Sequence, residues 1–301
     1  MSANLSYKFK TADVLTQIIV INVVAFLTIR LGSFFLSMSP AGFASWFVLS
    51  NDLNTLLFRP WTLLTYGFLH FGVMHILFNM LWLYWFGRIV LNLFTGRRFL
   101  TVYLLGAVSG GALFVLSYNF FPVFEHARGY LIGASGAVTA VMIFIATYTP
   151  NSELRIFRWN IKLWHIALVL FVLDLVRIPS SGNAGGLLAH VGGGVFGYVY
   201  AAQLLKGKDI GKWFENFMDW IANFFKPRDR KPFKKVYRNK PHKATYASKT
   251  SGSSRTARPS KVSKTTKQQK IDAILDKIGQ SGYESLTREE KDFLFKAGKE
   301  D

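Results

Sequence analysis

The 301-residue chain contains no cysteine, so neither a disulfide framework nor a thiolate metal site can hold it together. Oxidising and reducing compartments stay equally open on that count. Acid is scarce as well: 17 Asp and Glu face 36 Lys and Arg, giving a net charge of +19. The imbalance is uneven, because residues 1–205 hold 12 basic and 5 acidic groups whereas residues 206–301 hold 24 and 12. Residues 226–270 carry 16 basic groups against Asp229 alone, with much Ser, Thr and Pro and almost no large apolar residue. Such a segment cannot bury enough apolar surface to offset the entropy of ordering, so it reads as a basic disordered linker.

What the chain has in abundance is apolar and aromatic side chains, 50% and 16% of all residues, concentrated before residue 206. Apolar runs at roughly 14–34, 72–92, 98–119, 133–149, 163–178 and 186–205 each approach the ~20 residues that carry a helix across the hydrocarbon layer. The fold class expected is all-α: a polytopic membrane protein with a bundle of six transmembrane helices. The first run lacks a small-residue cleavage site and is followed by five more, so it is expected to stay as an anchor. Ten Lys and Arg flank the spans on one side, and Arg30, Arg59, Arg128 and Arg177 flank them on the other. The positive-inside rule then places both termini in the cytoplasm, as an even span number requires.

The domain reading has five parts. Residues 1–13 are a cytosolic N-terminal segment, 14–205 the six-helix domain, and 206–225 an amphipathic helix. In that helix Ile210, Trp213, Phe214, Phe217, Ile221 and Phe224 oppose Lys212, Glu215, Asn216, Asp219 and Asn223. It either lies in the lipid interface or packs on the underside of the membrane domain. After the linker at 226–270, residues 271–301 form a small helical hairpin, with Ile271, Ile274, Leu275 and Ile278 on one helix and a Thr287–Glu290 capping box opening the next.

Three strings put rare polar groups inside the apolar runs: His70-Phe-Gly-Val-Met-His75-Ile-Leu-Phe-Asn79, Gly133-Ala-Ser135-Gly136, and Ala189-His190-Val-Gly-Gly193. Polar groups at membrane depth are costly, and three sets in separate spans suggest a buried chemical site. From a cytoplasmic start, the second, fourth and sixth helices run inward from the outer face, so His75 and Asn79, Ser135, and His190 share a depth in the outer half of the bilayer. His190, Gly193, Gly194 and Gly197 form a small-residue stripe at i, i+3, i+4 and i+7, and Gly133, Gly136, Ala137 and Ala140 flank Ser135. Small residues let helix backbones approach closely enough for a hydroxyl and an imidazole to meet.

The chemistry suggested is acyl transfer, with His190 taking the Ser135 proton and later protonating the leaving amine. Asn79, His75 and the Ser135 backbone N–H would serve a developing oxyanion. Taken singly, the glycine-flanked serine, His190 and Asn79 would each also serve interhelical packing. A metal site on His70, His75 and His190 is disfavoured, because His70 and His75 lie about 140° apart around a helix and no carboxylate is placed beside them. Asp174 and Arg177 read as an i, i+3 pair near the outer surface. A transporter would need broken helices at matching positions in two halves, which the runs do not show.

On these residues the chain resembles the rhomboid intramembrane serine proteases. The motifs are His-x4-His-x3-Asn, Gly-x-Ser-Gly and Ala-His-x-Gly-Gly-x3-Gly, and the likeness runs through about residues 10–205. It implies a catalytic Ser135–His190 dyad without a carboxylate, an oxyanion and substrate site of His75, Asn79 and Gly133, and structural support from His70, Gly136, Gly193 and Gly197. It further implies no cofactor, no metal, and transmembrane protein substrates cut near their outer ends. The alternative is a catalytically idle relative that binds transmembrane helices. Two departures stand out. Arg59-Pro60-Trp61-Thr62 replaces the Trp-Arg pair of many rhomboids, so the anchoring of that loop does not carry over. Thr139 replaces an aromatic residue that stacks on the catalytic histidine, so imidazole orientation depends on another side chain. The basic tail is expected to meet anionic lipid headgroups rather than nucleic acid.

Overall fold

The computed structural model describes residues 2–156, 158–224 and 263–297. The chain divides into two units, Met1–Asp229 and Arg230–Asp301. In the first, α1 (Ser2–Thr11) precedes α2 (Val14–Phe35), and a long connection then carries α3 (Pro40–Phe43), β1 (Leu49–Ser50), α4 (Leu53–Phe58) and α5 (Thr62–Thr65). There follow α6 (Val73–Leu93), α7 (Gly96–Phe120), β2 (Tyr130–Leu131), α8 (Ser135–Tyr148), β3 (Glu153–Ile156), β4 (Trp159–Lys162), α9 (Leu163–Arg177), α10 (Ala184–Leu205) and α11 (Lys212–Phe224). The six apolar runs are thus α2, α6, α7, α8, α9 and α10, within a few residues of the boundaries read from sequence.

Helix starts are set by side-chain caps. Asp13 Oδ1 accepts from Thr16 N–H (2.8 Å), Thr95 Oγ1 from Arg98 N–H (3.3 Å) and Asn183 Oδ1 from Gly186 N–H (3.2 Å), opening α2, α7 and α10. Asp13 also accepts from Arg88 at 2.7 Å, tying the start of α2 to α6. The six helices differ in what they bury. Helices α2, α6, α7 and α9 are long and apolar enough to cross a membrane, yet α2 and α9 bury little of their surface in the protein. Val24, Leu31, Leu168, Val169, Val172 and Val176 all point outward. Helices apolar all round and unburied by protein need lipid as their second solvent, and the chain is a multi-pass integral membrane protein.

Helix α8 is the exception in length: 14 residues rise only about 21 Å, short of a hydrocarbon layer of about 30 Å. It begins at Ser135, after extended backbone that is covered by protein, the one setting in which non-helical chain is tolerated at membrane depth. Helix α10 has the length of α2 but six glycines, and those glycines set the core of the bundle. A Cβ on Gly193 would collide with the Gly136 carbonyl, and one on Gly197 with the Ala140 carbonyl. On α7, a Cβ at Gly110 would lie 2.6 Å from the Ala189 carbonyl, and one at Gly106 would strike Ala140. Helices α7, α8 and α10 therefore pack backbone to backbone, with Phe144, Ile145 and Tyr200 buried toward the C-terminal ends of α8 and α10.

The all-α reading needs two additions. β1 pairs with β2 through Leu49↔Leu131 and Ser50↔Tyr130, and β3 with β4 from Glu153↔Lys162 to Ile156↔Trp159. Both ladders are too short to show as period-two patterning. Just past the C-terminal end of α10, Asp209 accepts from Arg98 Nη2 (2.5 Å), Tyr200 Oη (2.8 Å) and Gly211 N–H (3.1 Å). Burial pushes its carboxyl up, but Tyr200 and Arg98 outweigh this and hold it below the usual range. Helix α11 turns its acidic side to α7, pairing Asp219 with Arg97 at 3.0 Å and burying Glu215 near Arg98. Its aromatic side, with Trp213, Phe217, Trp220 and Phe224, is left exposed.

The second unit holds α12 (Ser263–Ser281) and α13 (Arg288–Ala297). The capping box is formed: Thr287 N–H donates to Glu290 Oε2 (2.8 Å) and Glu290 N–H to Thr287 Oγ1 (3.3 Å). Lys277 of α12 also donates to Glu290 at 2.9 Å, joining the two helices. Most of the basic linker read at 226–270 lies outside the described residues.

Replacing Gly197 by Val should destabilise the membrane unit by about 1–3 kcal/mol, because the Ala140 carbonyl cannot yield as a flexible side chain would. Gly182→Val, with nothing within 4 Å, is the control. Reversible unfolding in mixed micelles measures both, and equal stabilities would contradict the packing described.

Candidate active site

The chain before Ser135 is fixed from three directions. β2 ties it to β1, Gly133 N–H donates to the Tyr66 carbonyl at 2.9 Å, and Ala134 N–H donates to His70 Nε2 at 3.4 Å. His70 is fully buried, its Nδ1 has no partner among the described residues, and its ring meets the His75 ring edge-on at 4.9 Å between centroids. Gly133 takes φ +112°, a backbone state that side-chain-bearing residues rarely adopt, and a Cβ there would sit 2.7 Å from His75 Cε1 and Nε2. His75, Gly133 and Ser135 are therefore immediate neighbours, although α6 and α8 are distant in sequence.

Ser135 is half-buried and is the first residue of α8, which has no side-chain cap. The earliest helical bond is Val138 N–H to the Ala134 carbonyl, so the N–H groups of the first turn have no partner within the helix. They bring partial positive charge to the end of the helix that carries the hydroxyl. Next along the chain, a Cβ on Gly136 would lie 3.1 Å from the Ala189 carbonyl, which sets the Ser135–Gly136 backbone against the Ala189–His190 backbone of α10. Among the described residues Ser135 Oγ makes no hydrogen bond to His190, so the two groups lie on adjoining stretches of α8 and α10 without being joined. Asn79 is buried, and one of its two amide N–H groups returns to the His75 carbonyl at 2.8 Å, leaving the other available.

The structure brings together Ser135, Gly133, Gly136, His75 and His70, sets His190 on the adjoining stretch of α10, and leaves Gly193 and Gly197 as the contact line below. It also places a group that sequence reasoning assigned elsewhere. Asp174 does not pair with the exposed Arg177; its Oδ2 lies 2.8 Å from His190 Nδ1. A carboxylate in an apolar helix needs a partner, and one turn along α9 the guanidinium reaches the surface instead of the carboxylate. The expectation that no carboxylate is placed near these histidines is corrected accordingly. Among the described residues no three His, Asp or Glu side chains converge as a metal-binding group.

The loop bearing Arg59-Pro60-Trp61 is anchored without an adjacent Trp-Arg dipeptide. Arg59 donates to the Ser45 carbonyl (3.1 Å) and stacks on Trp46 at 4.0 Å, and Trp61 Nε1 donates to the Trp46 carbonyl (2.9 Å). Thr139 is buried in α8 one turn after Ser135 and has no ring to offer His190.

Residues 58–207 match the Rhomboid domain family, and residues 261–297 match a family of unknown function (DUF6576). RHOMBOID-like protein 12, mitochondrial, of Arabidopsis thaliana is 28% identical over 161 residues, covering 50% of this chain and 48% of that protein. Rhomboid protease GluP of Bacillus subtilis (strain 168) is 32% identical over 153 residues, 50% of this chain and 28% of its own length. Presenilin-associated rhomboid-like protein A, mitochondrial, of Danio rerio is 31% identical over 140 residues, 44% of this chain and 35% of that protein. The chain thus spans from about a quarter to a half of the length of these relatives. With the helical membrane bundle and the matched domain together, the chain belongs to the rhomboid family.

Gly133→Ala should displace the His75 ring, since neither the positive φ nor the 2.7 Å contact admits a methyl group. In protein labelled with 15N-histidine the His75 resonances are expected to shift while those of the exposed His126 stay in place. An unchanged His75 signal would contradict the arrangement.

Proposed function

We propose that the chain is an intramembrane serine endopeptidase that hydrolyses peptide bonds in or near transmembrane segments of other membrane proteins, with Ser135 as nucleophile and His190 as general base. The observation that carries this reading is Ser135 at the uncapped start of α8, set below the surface by the shortness of that helix and held against the His190 stretch of α10 by Gly136. Proton transfer requires Oγ within ~3 Å of the imidazole, a contact that resting sites commonly leave long and that tightens in the complex with substrate.

In the reaction, Ser135 Oγ bonds to the scissile carbonyl carbon while its proton passes to His190. The carbonyl oxygen becomes an oxyanion that the Ser135 N–H and the free Asn79 amide N–H can receive, with His75 beside them. His190 then protonates the departing amine, leaving an ester on Ser135. Water, deprotonated by His190, cleaves that ester and returns the hydroxyl. None of these steps calls on a cofactor. The balance of Lys and Arg supports an orientation with both termini in the cytosol, in a bacterial cytoplasmic membrane, and the site opening to the outer side. The exposed aromatic side of α11 supports its lying in the lipid interface, next to a basic segment suited to anionic headgroups.

Ser135→Ala is expected to reduce cleavage of a co-expressed single-span substrate to background with unchanged expression. Native-level cleavage by that variant would remove Ser135 as nucleophile, and a native protein that neither cleaves nor takes a fluorophosphonate label would favour a helix-binding relative without catalysis.

A further inference from the structure

A neutral imidazole can serve as a base through only one nitrogen, and which one is set by the bond the other makes. In this structure the bond on His190 is to Asp174. Nδ1 and Oδ2 are 2.8 Å apart, with the two side chains only 22% and 18% exposed. An ionised carboxylate can only accept, so Nδ1 must carry the proton and Nε2 is left as the free lone pair. The bond also joins α9 to α10, fixing the ring plane from a helix that carries no other part of the site. Among the described residues the carboxylate that contacts His190 is Asp174 of α9.

Thr139 supplies the reason such a partner is needed. An alcohol one turn after Ser135 cannot stack on an imidazole, so position 139 gives the ring no aromatic support. Resting on the protease reading above, we propose that Asp174 is a positioning residue that fixes the tautomer and orientation of His190, so that this chain works with a serine, a histidine and an aspartate on three different membrane helices. Asp174 touches no reacting atom. It holds the Nδ1 proton in place while the Ser135 proton moves to Nε2, and it faces the imidazolium that forms during attack. When the proton leaves Nε2 for the amine, the same bond returns the ring to its starting tautomer.

Three variants of the full-length protein in detergent micelles test this: Asp174→Asn, Asp174→Glu and Ser135→Ala. Asp174→Asn, which can present an N–H to Nδ1 and so favour the wrong tautomer, is expected to slow phosphonylation of Ser135 by a fluorophosphonate, and kcat for peptide cleavage, about 100-fold or more, with the substrate KM little changed. Asp174→Glu should recover part of the rate. Independently of activity, 15N-histidine spectra of the native protein and of Ser135→Ala should show His190 protonated on Nδ1, assigned by loss of the signal in His190→Gln. That signal should move to Nε2 in Asp174→Asn. A native rate in Asp174→Asn, or a native protein whose His190 carries its proton on Nε2, overturns the proposal. So does equal loss of rate and of thermal stability in the Asn and Glu variants with the tautomer unmoved, which would make Asp174 a clasp between helices and nothing more. If the native protein takes no label at all, it is the protease reading that falls, and the nitrogen spectra still decide the Asp174 bond.

Discussion

The backbone contact between α8 and α10 is the constraint on which the site depends. Lipid tails are as apolar as the side chains of the bundle, so close approach here comes from van der Waals fit and not from exclusion of water. Gly136 against Ala189, Gly193 against Gly136 and Gly197 against Ala140 make a seam in which a Cβ at Gly193 or Gly197 has no place and one at Gly136 would be tight. That seam fixes where α8 starts relative to α10, and so sets Ser135 beside the stretch that carries His190. Helix α7 closes the third side, with its Gly106 and Gly110 against Ala140 and Ala189 and its Ser109 carbonyl against Gly192 of α10, and the peripheral helices α2, α6 and α9 present the greasy outer surface.

A second constraint is the handling of polar groups at depth. The chain before α8 leaves helical geometry, and its N–H groups are met by the Tyr66 carbonyl and by His70. Further down, Tyr66 Oη donates to the Ala107 carbonyl (2.6 Å), and Asn22 donates to Tyr103, which itself donates to the Gly67 carbonyl. These bonds satisfy groups that would otherwise be expensive in a low-dielectric interior. The uncapped first turn of α8 is left out of that pattern, and a site able to receive negative charge results.

The six spans were legible in the sequence because apolar run length is a strong signal, and all six fall within a few residues of the helices formed. The serine, histidine and asparagine strings were legible because polar groups are rare at that depth. Asp174 was misplaced because an i, i+3 rule sees only neighbours on one helix, whereas its partner lies 16 residues away on another. The two small ladders escaped because two to four residues carry no periodicity. For α11, the pattern gave the amphipathic helix but not which side faces protein. Asp219 and Glu215 meet Arg97 and Arg98 of α7, so the acidic side faces inward and the aromatics outward, the reverse of a helix packed by its apolar face.

The most direct test of a serine held beside a histidine in the membrane is a structure of the protein after reaction with a mechanism-based isocoumarin. The expected result is a covalent bond from Ser135 Oγ, with the His190 ring in contact with the adduct and the former carbonyl oxygen directed at the Ser135 N–H. An adduct on another residue, or none with Ser135 and His190 apart on opposed sides of the bundle, would contradict it.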